Sequence, residues 1–239
     1  MKLLDLTLNT PAENLALDEA LLEEAEQAGS PREVLRLWES PQPIVVVGRS
    51  SKVDVEVHRD QCRQRYIPIL RRSSGGASIV AGPGCLMFSV LLSYQQRPVL
   101  RMIDQAHCYV LGMTCRALAK LTPGVEHRGT SDLVLAGRKC SGNSLRCKRN
   151  HLLYHGTLLY QFPLELIGNC LARPPREPEY RKGRSHADFV TNLPADAEQL
   201  RHALADAWQA TEPPRPWPRE LTQRLVDEKY SRAEWNFQR

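Results

Sequence analysis

Three short apolar runs, at 67–70, 79–81 and 87–92, follow one another closely. Runs of this length, bounded by glycine, proline and serine, read as strands rather than helices. The second break between them is Gly82-Pro83-Gly84. The first is Arg71-Arg72-Ser73-Ser74-Gly75-Gly76-Ala77-Ser78, a turn rich in hydrogen-bond donors. Arginine forks match carboxylates and phosphates, and glycine lets backbone N–H groups approach a bound anion closely. On these residues alone an anion cradle and a solvated hairpin tip are equally good readings.

The rest of the chain continues the pattern. Residues 3–8 alternate as a half-buried strand does. Thr10-Pro11-Ala12-Glu13 opens a helix: Thr10 caps, Pro11 suits the first helical position and Glu13 completes a capping box. Strands are predicted at 34–38 and 44–47, a polar loop at 50–57 and a short helix at 57–65. Ile103, Ala106, Val110, Met113, Ala117 and Leu121 keep helical spacing over 102–121, with His107 a packing or surface residue beside that stripe. A strand at 132–135, the tight turn Ala136-Gly137 and a returning strand from Arg138 come next. A basic turn at 146–150 leads to a strand at 152–160. Gly156 inside that strand marks close approach of a ligand or another backbone. Helices are expected at 164–171, 195–208 and 219–228, with Pro213-Pro214-Arg215-Pro216-Trp217-Pro218 a stiff linker before the last. Strands in hairpins with helices inserted argue an α+β fold with a largely antiparallel sheet.

Composition narrows the function classes. A net charge of +5, with 25% charged and 42% hydrophobic residues, describes an ordinary globular chain and falls short of a nucleic-acid-binding signature. No apolar run reaches membrane-spanning length, and Asp5 and Asn9 interrupt any signal-peptide core, so a cytoplasmic protein without membrane association is expected. Seven cysteines at irregular spacing, without a Cys-x-x-Cys pair or zinc spacing, read as reduced and mostly buried thiols. They identify no metal ligands.

There is no Walker A sequence and no Gly-x-Ser-x-Gly elbow. Three chemical features remain. They are the Arg/Ser/Gly turn, Lys139 in Lys139-Cys140-Ser141-Gly142, and His155-Gly156-Thr157. Together they suit binding a carboxylate or phosphoryl group and stabilising negative charge. Backbone N–H groups at Gly75 and Gly76 would cradle the anion, with Lys139 beside it as a point charge.

These residues also resemble a known family. Arg71-Arg72-Ser73-Ser74-Gly75-Gly76 is similar to the Arg-Arg-x-Ser-Gly-Gly motif of lipoate–protein ligase A and its relatives. Arg138-Lys139-Cys140-Ser141-Gly142-Asn143-Ser144 resembles the same family's Lys-x-Ser-Gly-Ser-Ala segment, and His155-Gly156-Thr157-Leu158-Leu159 its His-Gly-Thr-Leu-Leu strand. Asn14-Leu15-Ala16-Leu17-Asp18-Glu19, Leu35-Arg36-Leu37-Trp38-Glu39, Val190-Thr191-Asn192-Leu193 and Glu234-Trp235-Asn236 resemble further family blocks, in order along nearly the whole chain.

The resemblance implies the biotin/lipoate-ligase catalytic fold, a mixed, largely antiparallel sheet surrounded by helices. One catalytic domain over residues 1–239 is expected, with 213–239 a Pro-rich linker and terminal helix packed on it; many ligases of the family continue into an accessory C-terminal domain, and none is expected here. The implied reaction attaches a lipoyl or octanoyl group to a lysine of a lipoyl carrier domain through an ATP-derived acyl adenylate, with ATP and Mg2+. The implied partners are the lipoyl domains of 2-oxoacid dehydrogenase complexes or the glycine cleavage H protein, and a separate small accessory subunit is compatible. Carried over by position, Lys139 contacts the acyl carbonyl and phosphate. Arg72, Ser74, His155 and Thr157 line the substrate site, and Gly75 and Gly76 lie against the adenylate. Asp132 and Ala77 stand near the nucleotide and metal.

The chain departs from the family pattern at Ala77, where a third glycine is common, at Ala81-Gly82 in place of His-Asp, and at Ser131 in place of Asn. Two alternatives therefore stand beside the ligase. One is an ATP-independent octanoyltransferase drawing on acyl carrier protein, with Cys170 or Cys140 as nucleophile. The other is a family member that binds lipoyl groups without catalysis.

Overall fold

The computed structural model describes residues 1–212 and 216–238. Among these, the strands are β1 (Lys2–Asp5), β2 (Val34–Glu39), β3 (Ile44–Val47), β4 (Ile69–Arg71), β5 (Ile79–Ala81), β6 (Cys85–Ser93), β7 (Val125–Arg128), β8 (Asp132–Leu135), β9 (Arg138–Cys147) and β10 (His151–Leu159). The helices are α1 (Pro11–Gln27), α2 (Val53–Glu56), α3 (Arg59–Gln64), α4 (Ile103–Leu118), α5 (Glu165–Cys170), α6 (His186–Phe189), α7 (Ala197–Ala207), α8 (Arg219–Leu225) and α9 (Ala233–Asn236). The larger sheet runs β1-β2-β6-β10-β9-β8-β7 and the smaller β4-β3-β5. β1 with β2 and β3 with β4 are parallel, and the other pairs are antiparallel. This is an α+β fold with a mixed, largely antiparallel sheet surrounded by helices. None of the described helices is long and apolar enough to cross a membrane.

Local chemistry accounts for several boundaries. Glu13 N–H donates to Thr10 Oγ1 at 3.2 Å, and Thr10 N–H donates to Glu13 Oε2 at 2.8 Å, so the predicted capping box starts α1. Ala136 and Gly137 both take left-handed φ, +49° and +73°, as a two-residue hairpin between β8 and β9 requires. β10 lies between β6 and β9 and is covered on both faces. Tyr154 and Leu158, with Phe88 and Val90 of β6, pack beneath α4 and α7. Met87 and Leu159, on the opposite face, join a core with Leu15 of α1 and the small sheet. His155 and Thr157 share that second face by the period-2 alternation of a strand.

The structure corrects several expectations. Residues 71–78 are not a hairpin, because β3 lies between β4 and β5, and residues 71–74 are buried as the chain crosses over. The 50–57 loop contains α2, a four-residue turn without a side-chain cap. β7 was hidden by its polar sequence Val-Glu-His-Arg. β1 stops at Asp5, and β9 runs on to Cys147 before the basic turn. The helix expected at 219–228 is α8, which ends at Leu225 and passes into a π-helical turn, Val226–Tyr230, whose Lys229 and Tyr230 both reach Glu19 of α1 at 2.7 Å; the short α9 follows it. Pro213, Pro214 and Arg215 of the expected linker lie outside the described residues.

One buried ion pair joins α1 to the large sheet. Arg36 of β2 donates from Nη1 to Asp18 Oδ1 at 2.5 Å and from Nη2 to Asn14 Oδ1 at 2.7 Å. Ser89 of β6 donates to Asp18 Oδ2 at 2.7 Å. Burial pushes the Asp18 carboxyl upward, but Arg36, with His155 and Ser89, outweighs it and holds the group below its ordinary value of 3.8. The native state therefore binds fewer protons here than the unfolded chain. The stabilisation is complete above the ordinary value and fades as pH falls through it and below.

Two predictions follow from this packing. Arg36→Met leaves the Asp18 carboxylate buried without its cation and is expected to cost about 3–5 kcal/mol in urea unfolding at neutral pH. A Cβ at Gly156 would collide with Asn143 Oδ1 and lie 2.9 Å from Phe88 Cε1. Gly156→Ala is accordingly expected to lower stability by about 1–3 kcal/mol in the same assay. Here the strand glycine makes room for a side chain.

Candidate active site

A cleft of about 360 Å³ opens on the α1 side of the large sheet. Leu15 of α1, Val46 of β3 and Met87 of β6 form its apolar floor, with Asp18 and His155 beside them. Gly76, Ala77, Ser131 and Arg176 stand among its walls. Lys139, Gly142 and Thr157 line both this cleft and a second hollow of about 120 Å³, walled by Ile79, Leu159, Ile167 and Phe189. Another cleft, of about 320 Å³, lies beside β1 and Trp217. It contains none of the motif residues.

Lys139, the second residue of β9, is fixed from two sides. Its carbonyl accepts from Thr191 N–H at 2.9 Å, and its Nζ lies 2.6 Å from Asp132 Oδ1. Asp132, at the start of β8, accepts at Oδ2 from the Tyr180 hydroxyl at 2.7 Å. Both oxygens of this carboxylate thus carry strong donors. Among the described residues no three His, Cys, Asp or Glu side chains cluster as metal ligands.

The arginines of the crossover shape the loop instead of opening a fork toward an anion. Arg72 lines the cleft but donates to the carbonyls of Val46, Gly75 and Ala77 at 3.1, 2.5 and 3.0 Å and to Ser74 Oγ at 3.1 Å. Burial lowers its pKa to about 10, with Glu56 opposing the fall, so it remains cationic at neutral pH. Arg71 donates to the carbonyls of Gly48, Ser51, Trp235 and Gln238 at 2.6, 2.9, 3.0 and 2.7 Å.

Ser74 lies behind the wall, its Oγ 2.5 Å from His155 Nε2, while His155 Nδ1 lies 3.7 Å from Asp18 Oδ2. Ser74 therefore positions His155, which does line the cleft. The Gly75 carbonyl accepts from Ser144 Oγ at 2.9 Å. Gly76 reaches the rim at φ +87°, where a Cβ would stand 3.0 Å from Arg72 Nη2. Thr157 Oγ1 accepts from Gly142 N–H at 3.2 Å and braces β9 against β10 at the junction.

Of the departures, Ala77 stands in the wall and Ser131 offers its carbonyl to Asn143 Nδ2 at 2.8 Å. Ala81 and Gly82 lie away from the cleft. A Cβ at Gly82 would stand 2.9 Å from Pro43 Cα, so this glycine serves a neighbouring turn.

Neither candidate thiol reaches the cleft. Cys140 points to the opposite face from Lys139, is fully buried, and donates to the Leu133 carbonyl at 3.4 Å. Burial pushes its thiol up to about 12, outweighing the small opposing effect of Lys139. Cys170 is buried beside Cys62, and burial raises its pKa too.

Sequence reasoning assigned no role to Asp18, Arg36, Arg176 or Tyr180. Asp18 and Arg36 each interrupt an apolar stripe, and a charge in such a stripe signals a buried pair. Tyr180 lies in the irregular segment after α5 and gives no comparable signal. The assembled site places a cation between an apolar cleft and a second hollow. That arrangement suits a ligand with negative charge near its middle.

Comparison with known proteins agrees with this fold. The model of the lipoyl protein ligase A/B catalytic domain matches residues 10–207. A candidate lipoate-protein ligase A of Aeropyrum pernix is 30% identical over 210 residues, covering 87% of this chain and 74% of that protein. Octanoyltransferase LipM of Oceanobacillus iheyensis is 27% identical over 254 residues, covering 96% of this chain and 92% of that protein. Among solved structures, one from Thermoplasma acidophilum, described as an archaeal lipoylation system with a bi-partite lipoate protein ligase and its E2 lipoyl domain, superimposes with a TM-score of 0.82 at 24% identity, covering 99% of this chain and 95% of that one. Ligase and octanoyltransferase thus both occur among the relatives, and the chain belongs to the lipoyl protein ligase A/B catalytic-domain family.

Proposed function

We propose that this protein attaches a lipoyl or octanoyl group to a lysine of a lipoyl carrier domain through an ATP-derived acyl adenylate. The carrying observation is Lys139, an ammonium at the junction of two hollows with Asp132 as its counter-ion. In this reading the acyl chain lies over Leu15, Val46 and Met87, and the adenosine occupies the hollow walled by Ile79, Ile167 and Phe189. Lys139 stands at the carbonyl and phosphate between them. Arg72, Ser74 and Gly75 keep the wall in shape, Gly76 and Ala77 border the phosphate, and His155 and Thr157 line the acyl side. Residues 1–239 act as one catalytic unit.

An acyl carboxylate oxygen attacks the α-phosphorus of ATP, forming the acyl phosphate bond as pyrophosphate leaves. The acceptor lysine, as a free amine, then attacks the acyl carbonyl. An amide forms, AMP leaves, and the amine proton passes to solvent or phosphate. Lys139 neutralises charge in the bound state as well as the transition state, so it contributes to affinity and turnover together. The lipoyl domain named with the Thermoplasma ligase supports the choice of acceptor, and its bi-partite make-up keeps an accessory subunit compatible.

Wild-type protein is expected to catalyse lipoate- or octanoate-dependent ATP–pyrophosphate exchange, and Cys140→Ser and Cys170→Ser variants should retain it. Transfer from octanoyl carrier protein that needs one of these cysteines, with no exchange, would establish the octanoyltransferase instead. Neither activity, also with small accessory proteins added, would favour binding without catalysis. Lys139→Ala is expected to lower the rate of acyl transfer at least about 100-fold, by loss of its electrostatic contribution, while its circular dichroism stays that of wild type.

A further inference from the structure

The residues after α5 pass beside the Lys139–Asp132 pair and are tied to the same hairpin. Arg184 donates to the Gly137 carbonyl at 3.0 Å, and Arg138 donates to the Ala187 carbonyl at 2.9 Å. Tyr180 lies in this segment. Its ring packs on Phe189 with centroids 5.3 Å apart, and a Cβ at Gly129 would stand 3.5 Å from its Cε1. Packing alone would be served equally by phenylalanine. The hydroxyl instead spans to Asp132 Oδ2 at 2.7 Å, while Asp132 Oδ1 lies 2.6 Å from Lys139 Nζ.

We propose that Tyr180 is a positioning residue that acts on Lys139 through Asp132, fixing the carboxylate and taking up part of its charge so that an anionic ligand can draw the ammonium away. A hydrogen bond to an ionised carboxylate disperses its negative charge and lowers its basicity. The attraction left for Lys139 is weaker than that of a carboxylate with one oxygen free. Burial, together with the neighbouring carboxylate, holds the Tyr180 phenol far above its ordinary pKa, so the hydroxyl remains a donor across the working range. Asp132 is mostly buried, so water replaces this donor poorly. Arg181 and His186 also border the junction beside Lys139. They are basic groups and cannot take the place of Tyr180 as a restraint on the carboxylate without adding positive charge beside Lys139.

The use made of Lys139 rests on the proposed acyl transfer, but the coupling itself can be read without substrate. The experiment follows acetylation of Lys139 by dilute acetic anhydride at one alkaline pH, by peptide mass spectrometry, with the other six lysines as internal controls. Tyr180→Phe keeps the ring and removes the donor. It is expected to strengthen the ion pair and slow Lys139 acetylation about threefold, because less of the amine is free to react. In an Asp132→Asn background the same substitution should change the rate by less than about 1.5-fold, because the carboxylate that couples the two is gone. An unchanged rate with Asp132 present, or an equal fall in both backgrounds, overturns the proposal. In pyrophosphate exchange, Tyr180→Phe is expected to raise KM for the acyl acid about threefold with little change in kcat. The reverse split overturns the ligand-release part. Absence of exchange in the wild type would count against the ligase reading alone, since the acetylation result stands independently of it.

Discussion

The Arg36–Asp18 pair lies at the point where α1, β2, β6 and β10 meet. A guanidinium and a carboxylate this deeply buried are costly to desolvate, and only mutual pairing with further hydrogen bonds makes the arrangement tolerable. Asn14, Ser89 and the start of α1 provide those bonds. Asp18 then faces His155, and His155 holds Ser74 of the crossover. The cleft floor is thus built on a polar chain that passes from the large sheet to the motif loop. Its apolar members, Leu15, Val46 and Met87, keep their places because that chain sets the distance between α1 and the sheet.

The crossover itself is organised by backbone acceptors. Arg71 gathers carbonyls from the turn after β3 and from the C-terminal Trp235 and Gln238, while Trp235 Nε1 donates back to the Arg71 carbonyl at 2.8 Å. Asn236 Oδ1 accepts from Arg71 N–H at 2.9 Å. These bonds satisfy loop carbonyls that burial would otherwise leave unpaired, which stabilises a non-repetitive segment inside the protein. At the junction of the two hollows the cation beside Asp132 is Lys139, an ammonium on a long unbranched stem.

Much of the scaffold was legible in the residues. The Thr10–Glu13 capping box, the Ala136-Gly137 turn and the apolar runs of β3, β6 and β10 mark their elements through short-range rules of capping, turn geometry and side-chain alternation. The placement of Lys139 and Cys140 on opposite faces follows from the same alternation. β7 and α2 escaped notice because a short polar edge strand and a single uncapped turn carry almost no periodic signal. The hairpin reading of 71–78 failed because strand order is a long-range property: β3, more than twenty residues earlier, inserts between β4 and β5.

The candidate site divides along the same line. The amino-acid sequence by itself determined the family resemblance, the donor-rich segment at 71–78 and the residue types available for an anionic ligand. Only the tertiary structure decided which of those groups remain available. It committed Arg71 and Arg72 to backbone carbonyls, set Ser74 behind His155, and buried the Cys140 and Cys170 thiols in the core. It also joined Tyr180 to Asp132 and Lys139 from a segment with no recognisable pattern. The physical reason is that a donor's availability depends on which acceptors the fold brings within about 3 Å of it, and on how much water remains there. Neither quantity is encoded in local sequence.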